Sequence, residues 1–289
     1  MKIKKAVIPA AGMGTRVLPA SKAIPKEMLP IVDRPAIQYI VEEAVKSGIE
    51  DILIITSRGK SAIEDHFDYT PELEQLLLER GKTDVYEELR SLANLANITF
   101  IRQKKALGLG DAILHAKSFV GNEPFAVLYG DDVICSEVPV CQQLCSAYEE
   151  FERGVVGIKE VTKEAIQKYS SLAVRPIRDN WFEVFDMVEK PSPDEILSLY
   201  SILGRCVLPP QIFEILEHTK PGAGGELQLT DAMKELAQTV GMIGVDFYGR
   251  RYDMGNKLGI LEAIVEQGLA HPEIGADFKK YLMSIAKEL

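Results

Sequence analysis

Residues 5–30 read KAVIPAAGMGTRVLPASKAIPKEMLP, an apolar run of five followed by a loop with two glycines, three prolines, Arg16, Lys22 and Lys26. Glycine reaches φ > 0 and lets backbone approach a ligand, while proline stiffens the return path, so the loop is built to hold something. Downstream, PAIQYIVEEAVKSG puts Ile37, Ile40, Val41, Ala44 and Val45 on one helical stripe, with Pro35 at its start and Gly48 at its stop. DILIITS at 51–57 is the next strand, and strand, helix, strand is a βαβ unit. ITFIR (98–102) and FAVLYG (125–130) repeat the strand pattern, with helices over Asp111 to Phe119 and Val140 to Phe151. The fold expected is α/β and doubly wound, a mostly parallel mixed sheet with helices on both faces.

The second half alternates as well. GVVGIKEV, SLAVRPI, WFEVFDMVEKP and IGVDFYGR read as strands, with helices after Pro193, Pro209 and Thr230. SLAVRPIRDNWFEVFDMV reads as a β-hairpin turning at Asp179 and Asn180. Residues 66–97 interrupt the rhythm with a leucine-spaced helical pair broken at Gly81, a solvated insertion or a subunit contact. No low-complexity linker or internal repeat divides the chain, which points to one continuous core.

Composition narrows the function. The chain has 289 residues, 33 basic against 43 acidic, for a net charge of −10, which excludes nucleic acid or an anionic membrane bound through bulk charge. A phosphate site must then be a local basic island, and Arg16, Lys22 and Lys26 supply one. The cysteines Cys135, Cys141, Cys145 and Cys206 have no framework spacing, and no histidine lies near Cys141 and Cys145 to complete a zinc site. MKIKKAVIPAAG has too short an apolar run for a signal peptide, and no stretch reaches the ~20 residues of a membrane span, so the expected compartment is the reducing cytoplasm.

Three stretches could carry chemistry. GMGTR is half of a dinucleotide fingerprint, but position 17 is valine and Asp51 precedes its strand, which disfavours a dehydrogenase. With Arg16 and Lys26 on the same proline-framed loop, a backbone cradle, a fork donor and an ammonium suit a triphosphate instead. YGDDV (129–133) puts Asp131 and Asp132 just past a buried strand, on opposite sides if the strand continues. One of them can hold a hard cation beside phosphates, and Asp253 in RYDMGNKLG can complete the shell; a cap or turn role is the alternative for each. In MVEKP (187–191), Glu189 can accept from sugar hydroxyls and Lys190 can meet a phosphate, with a surface ion pair as the alternative. His66, His115, His218 and His271 show no triad-like setting.

These stretches resemble the sugar nucleotidyltransferases, and among them the bacterial UTP:glucose-1-phosphate uridylyltransferases. The resemblance covers nearly the whole chain and rests on residues 6–44, on RQ at 102–103, GLGDA at 108–112, GDD, VEKP, GAGGELQLTDA at 222–232 and DMGNKLG. It implies a Rossmann-like nucleotidyltransferase domain over 1–265 and a C-terminal helical segment, 266–289, whose stripe of Phe278, Leu282 and Ile285 packs on its own core or on a second subunit of a homodimer or homotetramer. Carried over, Ala11, Gly12 and Gly14 contact the nucleotide through the backbone, and Glu27, Gln103 and Gly108 read the uracil. Arg16 and Lys26 hold the triphosphate, Asp131 and Asp253 bind Mg²⁺, and Glu189 and Lys190 hold glucose and its phosphate. The implied reaction is one in-line displacement at the α-phosphorus of UTP by glucose 1-phosphate, without a covalent intermediate.

Two departures bear on specificity. Ser170 follows Tyr169 where relatives usually have glycine lining the sugar pocket, so a side chain is expected to intrude there. Between Gln103 and Gly108 the loop reads KKAL, unusually basic. Thymidylyl transfer, another sugar 1-phosphate, and a non-catalytic relative that binds UDP-sugar and modulates a partner therefore stay open as alternatives.

Overall fold

Lys5–Pro9 (β1) lies inside the sheet because both its faces are apolar: Ala6 and Ile8 point into one core, Val7 into the other, all at 0% exposure. The structure, a computed structural model, describes residues 2–288. The remaining strands are Pro30–Ile31 (β2), Arg34–Pro35 (β3), Asp51–Thr56 (β4), Asn97–Arg102 (β5), Phe125–Leu128 (β6), Asp132–Cys135 (β7) and Gly154–Glu160 (β8). Ser170–Arg178 (β9), Trp181–Glu189 (β10), Tyr200–Leu208 (β11), Met242–Asp246 (β12) and Arg250–Asp253 (β13) complete them. The main sheet has nine strands in the order β5-β4-β1-β6-β11-β8-β12-β10-β9. Its pairings make it mixed: β1, β4, β5 and β6 run parallel to one another and to β8, β12 and β9, while β11 and β10 run against them.

The order β5-β4-β1-β6 reverses beside β1, so the loops leaving β1 and β6 open together, where doubly wound sheets bind ligands. Helix Ala36–Lys46 buries Ile37, Ile40, Val41 and Ala44 at 0% exposure against one face, as the stripe predicts, and Gly48 ends its turn at φ 86°. Val140–Phe151 covers the same face, while Leu109–Leu114, Ile212–His218 and Leu229–Thr239 cover the other. The β9–β10 hairpin turns at Asp179-Asn180 as expected, with Asp179 at φ 44°. Pro71–Glu79 and Thr83–Ala93 form a helical pair separated at Gly81, φ 68°.

Several elements differ from the sequence reading. The strand of the main sheet that it lacks is β11, inserted antiparallel between β6 and β8; it also lacks the strands of the two small sheets, β2–β3 and β7–β13. Gly204 and Arg205 interrupt its apolar run for a reason: Gly204, at φ 74°, makes a bulge where a Cβ would lie 2.7 Å from Asp132, and Arg205, 1% exposed, reaches Glu43. The helix expected over Asp111 to Phe119 is two, Leu109–Leu114 and Lys117–Val120. After Pro193 there is a single 3₁₀ turn, Pro193–Glu195. The C-terminal stripe turns onto its own chain, with Phe278 against Gly268 of helix Lys257–Ala270.

Candidate active site

The loop after β1 folds as three 3₁₀ turns, Thr15–Val17, Ala20–Lys22 and Lys26–Met28, and not as the long helix of a dinucleotide fold. Gly14 opens the first turn at φ 66°, and its carbonyl accepts from Ser21 Oγ at 2.7 Å. Beneath the loop lies Lys60, passed over in the sequence. Its ammonium donates to both Glu27 oxygens at 2.8 and 2.9 Å and to the Ala10 carbonyl at 2.5 Å. Burial pushes the Glu27 carboxyl up, against the pull of Lys60 and Lys26. SRGK at 57–60 leaves the end of β4, on the same sheet edge as the other site loops, a signal that could have found it.

Above the sheet edge, a cavity of about 350 Å³ is lined by Ala11, Gly12, Lys26, Glu27, Gln103 and Gly108, with Tyr129 and Asp131 at its floor. Gln103 is fixed by donating from Nε2 to the Gly108 carbonyl at 3.1 Å and to Asp111 Oδ2 at 2.7 Å. Gly108 must be glycine: at φ 109°, a Cβ would lie 2.6 Å from the Leu227 carbonyl oxygen. Lys104 and Lys105 of the basic loop are exposed.

A second cavity, of about 790 Å³, adjoins the first through Thr15, Tyr129, Asp131 and Glu226, and is also lined by Arg16, Tyr169, Lys190, Arg251 and Asp253. β7 and β13 pair antiparallel with Asp132 opposite Asp253, and Met254 N donates to the Asp131 carbonyl at 2.9 Å, which brings the three aspartates together across the fold. The strand β6 does not continue through Asp131 and Asp132, and both line this cavity, with different partners. Asp131 pairs with Lys26, while Asp132 pairs with Arg251 at 2.5 Å. Burial opposes ionisation of Asp131, but Lys26 and Arg16 outweigh it and hold its carboxyl below the usual value. At Asp132 burial wins over Arg251 and pushes the carboxyl up to about 6.

Arg16 sits between Asp131 and Asp253, 3.8 and 3.9 Å away, with a side chain 62% exposed. Asp253 is oriented by Gly255 N at 2.8 Å and the Tyr169 hydroxyl at 3.2 Å. Two carboxylates converging on one cation are a hard-oxygen donor set for a divalent ion whose shell phosphates complete. Among the described residues no cluster of three His, Cys, Asp or Glu side chains could hold a metal on its own.

Of the remaining expected residues, Lys190 lines the larger cavity at φ 47°, fixed by its N–H to the Tyr169 carbonyl at 2.8 Å. Glu189 lies beside it, held by the Thr230 hydroxyl at 2.8 Å, its carboxyl pushed up by burial. Gly14 and Glu189 are not among the residues that line either cavity. Ser170 corrects the expectation of an intruding side chain. It is 4% exposed and turned into the sheet, where Oγ accepts from Ile202 N at 3.2 Å and meets Ser201 Oγ at 3.4 Å. Strand alternation after Tyr169 dictates this: neighbours on an extended chain face opposite ways. Tyr169, Arg251 and Thr230 were missed because their partners are remote in sequence.

The nucleotidyl transferase family model matches residues 5–267. The chain belongs to this family. Within it, the chain is 52% identical over 286 residues to the UTP–glucose-1-phosphate uridylyltransferase YngB of Bacillus subtilis (strain 168), covering 99% of this chain and 96% of that protein. A UTP–glucose-1-phosphate uridylyltransferase of Staphylococcus epidermidis is 49% identical over 284 residues, 98% of this chain and 99% of its own. Among solved members, a UDP-glucose pyrophosphorylase complexed with UDP-glucose superposes with a TM-score of 0.84 at 42% identity, over 92% of this chain and 98% of that one. The UTP-bound enzyme from Acinetobacter baumannii gives 0.90 at 38% identity, over 97% and 99%. Among the described residues no helix is long and apolar enough to cross a membrane.

Proposed function

We propose that this protein transfers a uridylyl group from UTP to glucose 1-phosphate, releasing pyrophosphate and UDP-glucose. The observation that carries the reading is the pair of joined cavities at the switch of the sheet, with Asp131 at their junction and paired to Lys26 of the smaller one. Near-complete coverage of uridylyltransferases at about half identity supports the nucleotide and the sugar.

In this reading the nucleoside occupies the smaller cavity. The Ala11 and Gly12 backbone faces its phosphates, and Gln103, Gly108 and the Lys60-held Glu27 bound the base. Glucose 1-phosphate occupies the larger cavity beside Lys190 and Glu189. Its phosphate oxygen is already a competent nucleophile, so positioning and charge neutralisation suffice and no general base is required. Arg16 and Lys26 leave their carboxylate partners for the triphosphate. Among the residues lining the larger cavity, Arg16, Lys168, Lys190 and Arg251 face Asp131, Asp132, Glu226 and Asp253. A cavity so balanced has no surplus charge of its own for the phosphate of glucose 1-phosphate or for the phosphorus that it attacks. That supports a divalent ion, Mg²⁺, held by Asp131 and Asp253, which when bound neutralises phosphate charge at the reacting phosphorus.

Free cysteines suit a reducing compartment, so the cytoplasm belongs to this reading. So does a homodimer or homotetramer, supported by apolar side chains left exposed on the last two helices: Leu258, Leu261, Leu269, Tyr281 and Met283.

The test is pyrophosphate release with Mg²⁺, crossing UTP and dTTP with glucose 1-phosphate and galactose 1-phosphate. Release is expected for UTP with glucose 1-phosphate, and Asp131→Asn, folded by circular dichroism, should lower turnover by about a hundredfold or more. Release with dTTP alone moves the nucleotide assignment. Near-normal turnover by the folded variant removes Asp131 from the metal site, and silence from a protein that binds UDP-glucose favours the regulatory relative.

A further inference from the structure

Behind the glycine loop lies a third cavity, of about 220 Å³, which the reading above leaves without an occupant. Its side chains include Lys22, Lys26, Arg58 and Lys60, with Ser21 and Ser57, and no acidic residue is among those that line it. Four cations around one hollow are a marked local excess in a chain of net charge −10. Two of them are committed, Lys60 to Glu27 and Lys26 to Asp131. Lys22 and Arg58 are exposed and have no carboxylate partner among the described residues. At roughly 30 Å³ per water, the hollow has room for about seven waters, enough for a diphosphate group.

Its position is as informative as its charge. The nucleotide cavity shares Gly12, Met13 and Lys26 with this hollow, and Thr15, Tyr129, Asp131 and Glu226 with the sugar-phosphate cavity. The sugar-phosphate cavity and the basic hollow share no lining residue. The nucleotide therefore lies between them. An in-line displacement needs this order, because the attacking and leaving oxygens stand on opposite sides of the phosphorus. Lys26 is at the passage, its Nζ 3.8 Å from where a Gly12 Cβ would be.

We infer that Lys22 and Arg58 bind the pyrophosphate end of the nucleoside triphosphate and hold the leaving group in the basic hollow. The inference rests on the nucleotidyl-transfer reading. In the step, a phosphate oxygen of the sugar 1-phosphate forms a bond to the α-phosphorus. The bond from that phosphorus to the bridging oxygen breaks, and its electron pair leaves with pyrophosphate. No proton or oxidant is needed. Lys22 and Arg58 stabilise the charge arriving on the leaving group, Arg58 by its planar fork and Lys22 as a point charge.

The test uses the reverse reaction of the full-length protein, UDP-glucose with pyrophosphate, alongside UDP-glucose binding by calorimetry. UDP-glucose has no β,γ-diphosphate leaving group, so it separates this hollow from the rest of the site. Lys22→Ala/Arg58→Ala should raise the KM for pyrophosphate about tenfold or more, while the Kd for UDP-glucose stays within about twofold. The charge-keeping Lys22→Arg/Arg58→Lys should recover most of the loss. An unchanged pyrophosphate KM in the folded alanine variant overturns the inference, and so does an equal loss of UDP-glucose affinity, which would mean general loosening of the loop. A wild-type protein that makes no triphosphate from any nucleoside diphosphate sugar and pyrophosphate fails the underlying reading itself.

Discussion

Replacing Lys60 by methionine keeps much of the length and apolar bulk of the side chain and removes its charge and its hydrogen-bond donors. The Lys60–Glu27 pair is buried, with side chains 8% and 1% exposed, so Lys60→Met leaves a carboxylate that water does not reach. Breaking a buried pair from one side costs about 3–5 kcal/mol, and the lost hydrogen bond to the Ala10 carbonyl adds about 1. Glu27 has an escape: it takes up a proton. Burial already pushes its carboxyl above the ordinary 4.5, and the variant lacks the cation that opposes this most. The folded variant then keeps a proton that the unfolded chain releases, so stability falls as pH rises, by about 1.4 kcal/mol per unit between the unfolded and folded values. Wild type shares the direction with a smaller slope, because Lys60 limits the shift.

Urea unfolding at about pH 5 and about pH 8 measures both the loss and its slope. Lys60→Met should be less stable than wild type at both, more so at the higher pH. Lys60→Met/Glu27→Gln should regain most of the difference and lose the extra slope. The KM for UTP should rise in Lys60→Met and remain raised in the double variant, since in neither does an ammonium brace the Ala10 carbonyl. A loss under about 1 kcal/mol, or one independent of pH, would refute the reasoning and make the pair an ordinary surface contact.

Two further substitutions test local geometry. Ser170→Ala removes the acceptor for Ile202 N and should cost about 1–2 kcal/mol in urea unfolding, while turnover with glucose 1-phosphate relative to galactose 1-phosphate stays as in wild type; a changed sugar ratio would contradict the inward-turned side chain. Gly108→Ala drives a Cβ to 2.6 Å from the Leu227 carbonyl at φ 109°, so thermal unfolding should reveal a loss of about 2–4 kcal/mol and the KM for UTP should rise; a neutral substitution would mean that the 222–228 segment yields freely.

What the sequence made legible was local. Period and punctuation were enough for helix Ala36–Lys46, for the four parallel strands and for the hairpin at Asp179-Asn180, because each depends on neighbours within a few residues. The glycine loop and the aspartate after β6 were legible for the same reason. β11 was not. Its Gly204 and Arg205 look like breaks, and they make sense only once Asp132 needs the space and Glu43, 162 positions away, needs the charge. Ser170 was misread because motif comparison gives a position and not a direction; the alternation after Tyr169 decides which way the side chain points. Arg251 stayed hidden because an ion pair leaves no mark on a sequence when its partners lie on different elements, and Lys60 because the loop after β4 was not set beside the other loops on its sheet edge.

The cations of the site are held in place before any phosphate arrives. Lys26 rests on Asp131, Arg251 on Asp132, Lys60 on Glu27, and Arg16 between Asp131 and Asp253. Such pairing lowers the electrostatic cost of crowding positive charge beside the glycine loop, and it aims each side chain while the site is empty. The pairs differ in what they can release. Lys60 is shut in and braces the loop, whereas Arg16 is exposed and more than 3.5 Å from either carboxylate, loose enough to exchange a carboxylate for a phosphate oxygen. In the proposed reaction Arg16 and Lys26 turn to the nucleotide, which leaves Asp131 without its ion-pair partners and Asp253 with Arg251 alone, 3.9 Å away. On that proposal the movement that binds the triphosphate also raises the demand for a divalent cation at those two aspartates, which predicts that metal and nucleotide bind with positive coupling, each tightening the other by the same factor in a calorimetric cycle. Independent binding of the two, measured in wild type, would show that Arg16 and Lys26 stay on their carboxylates throughout.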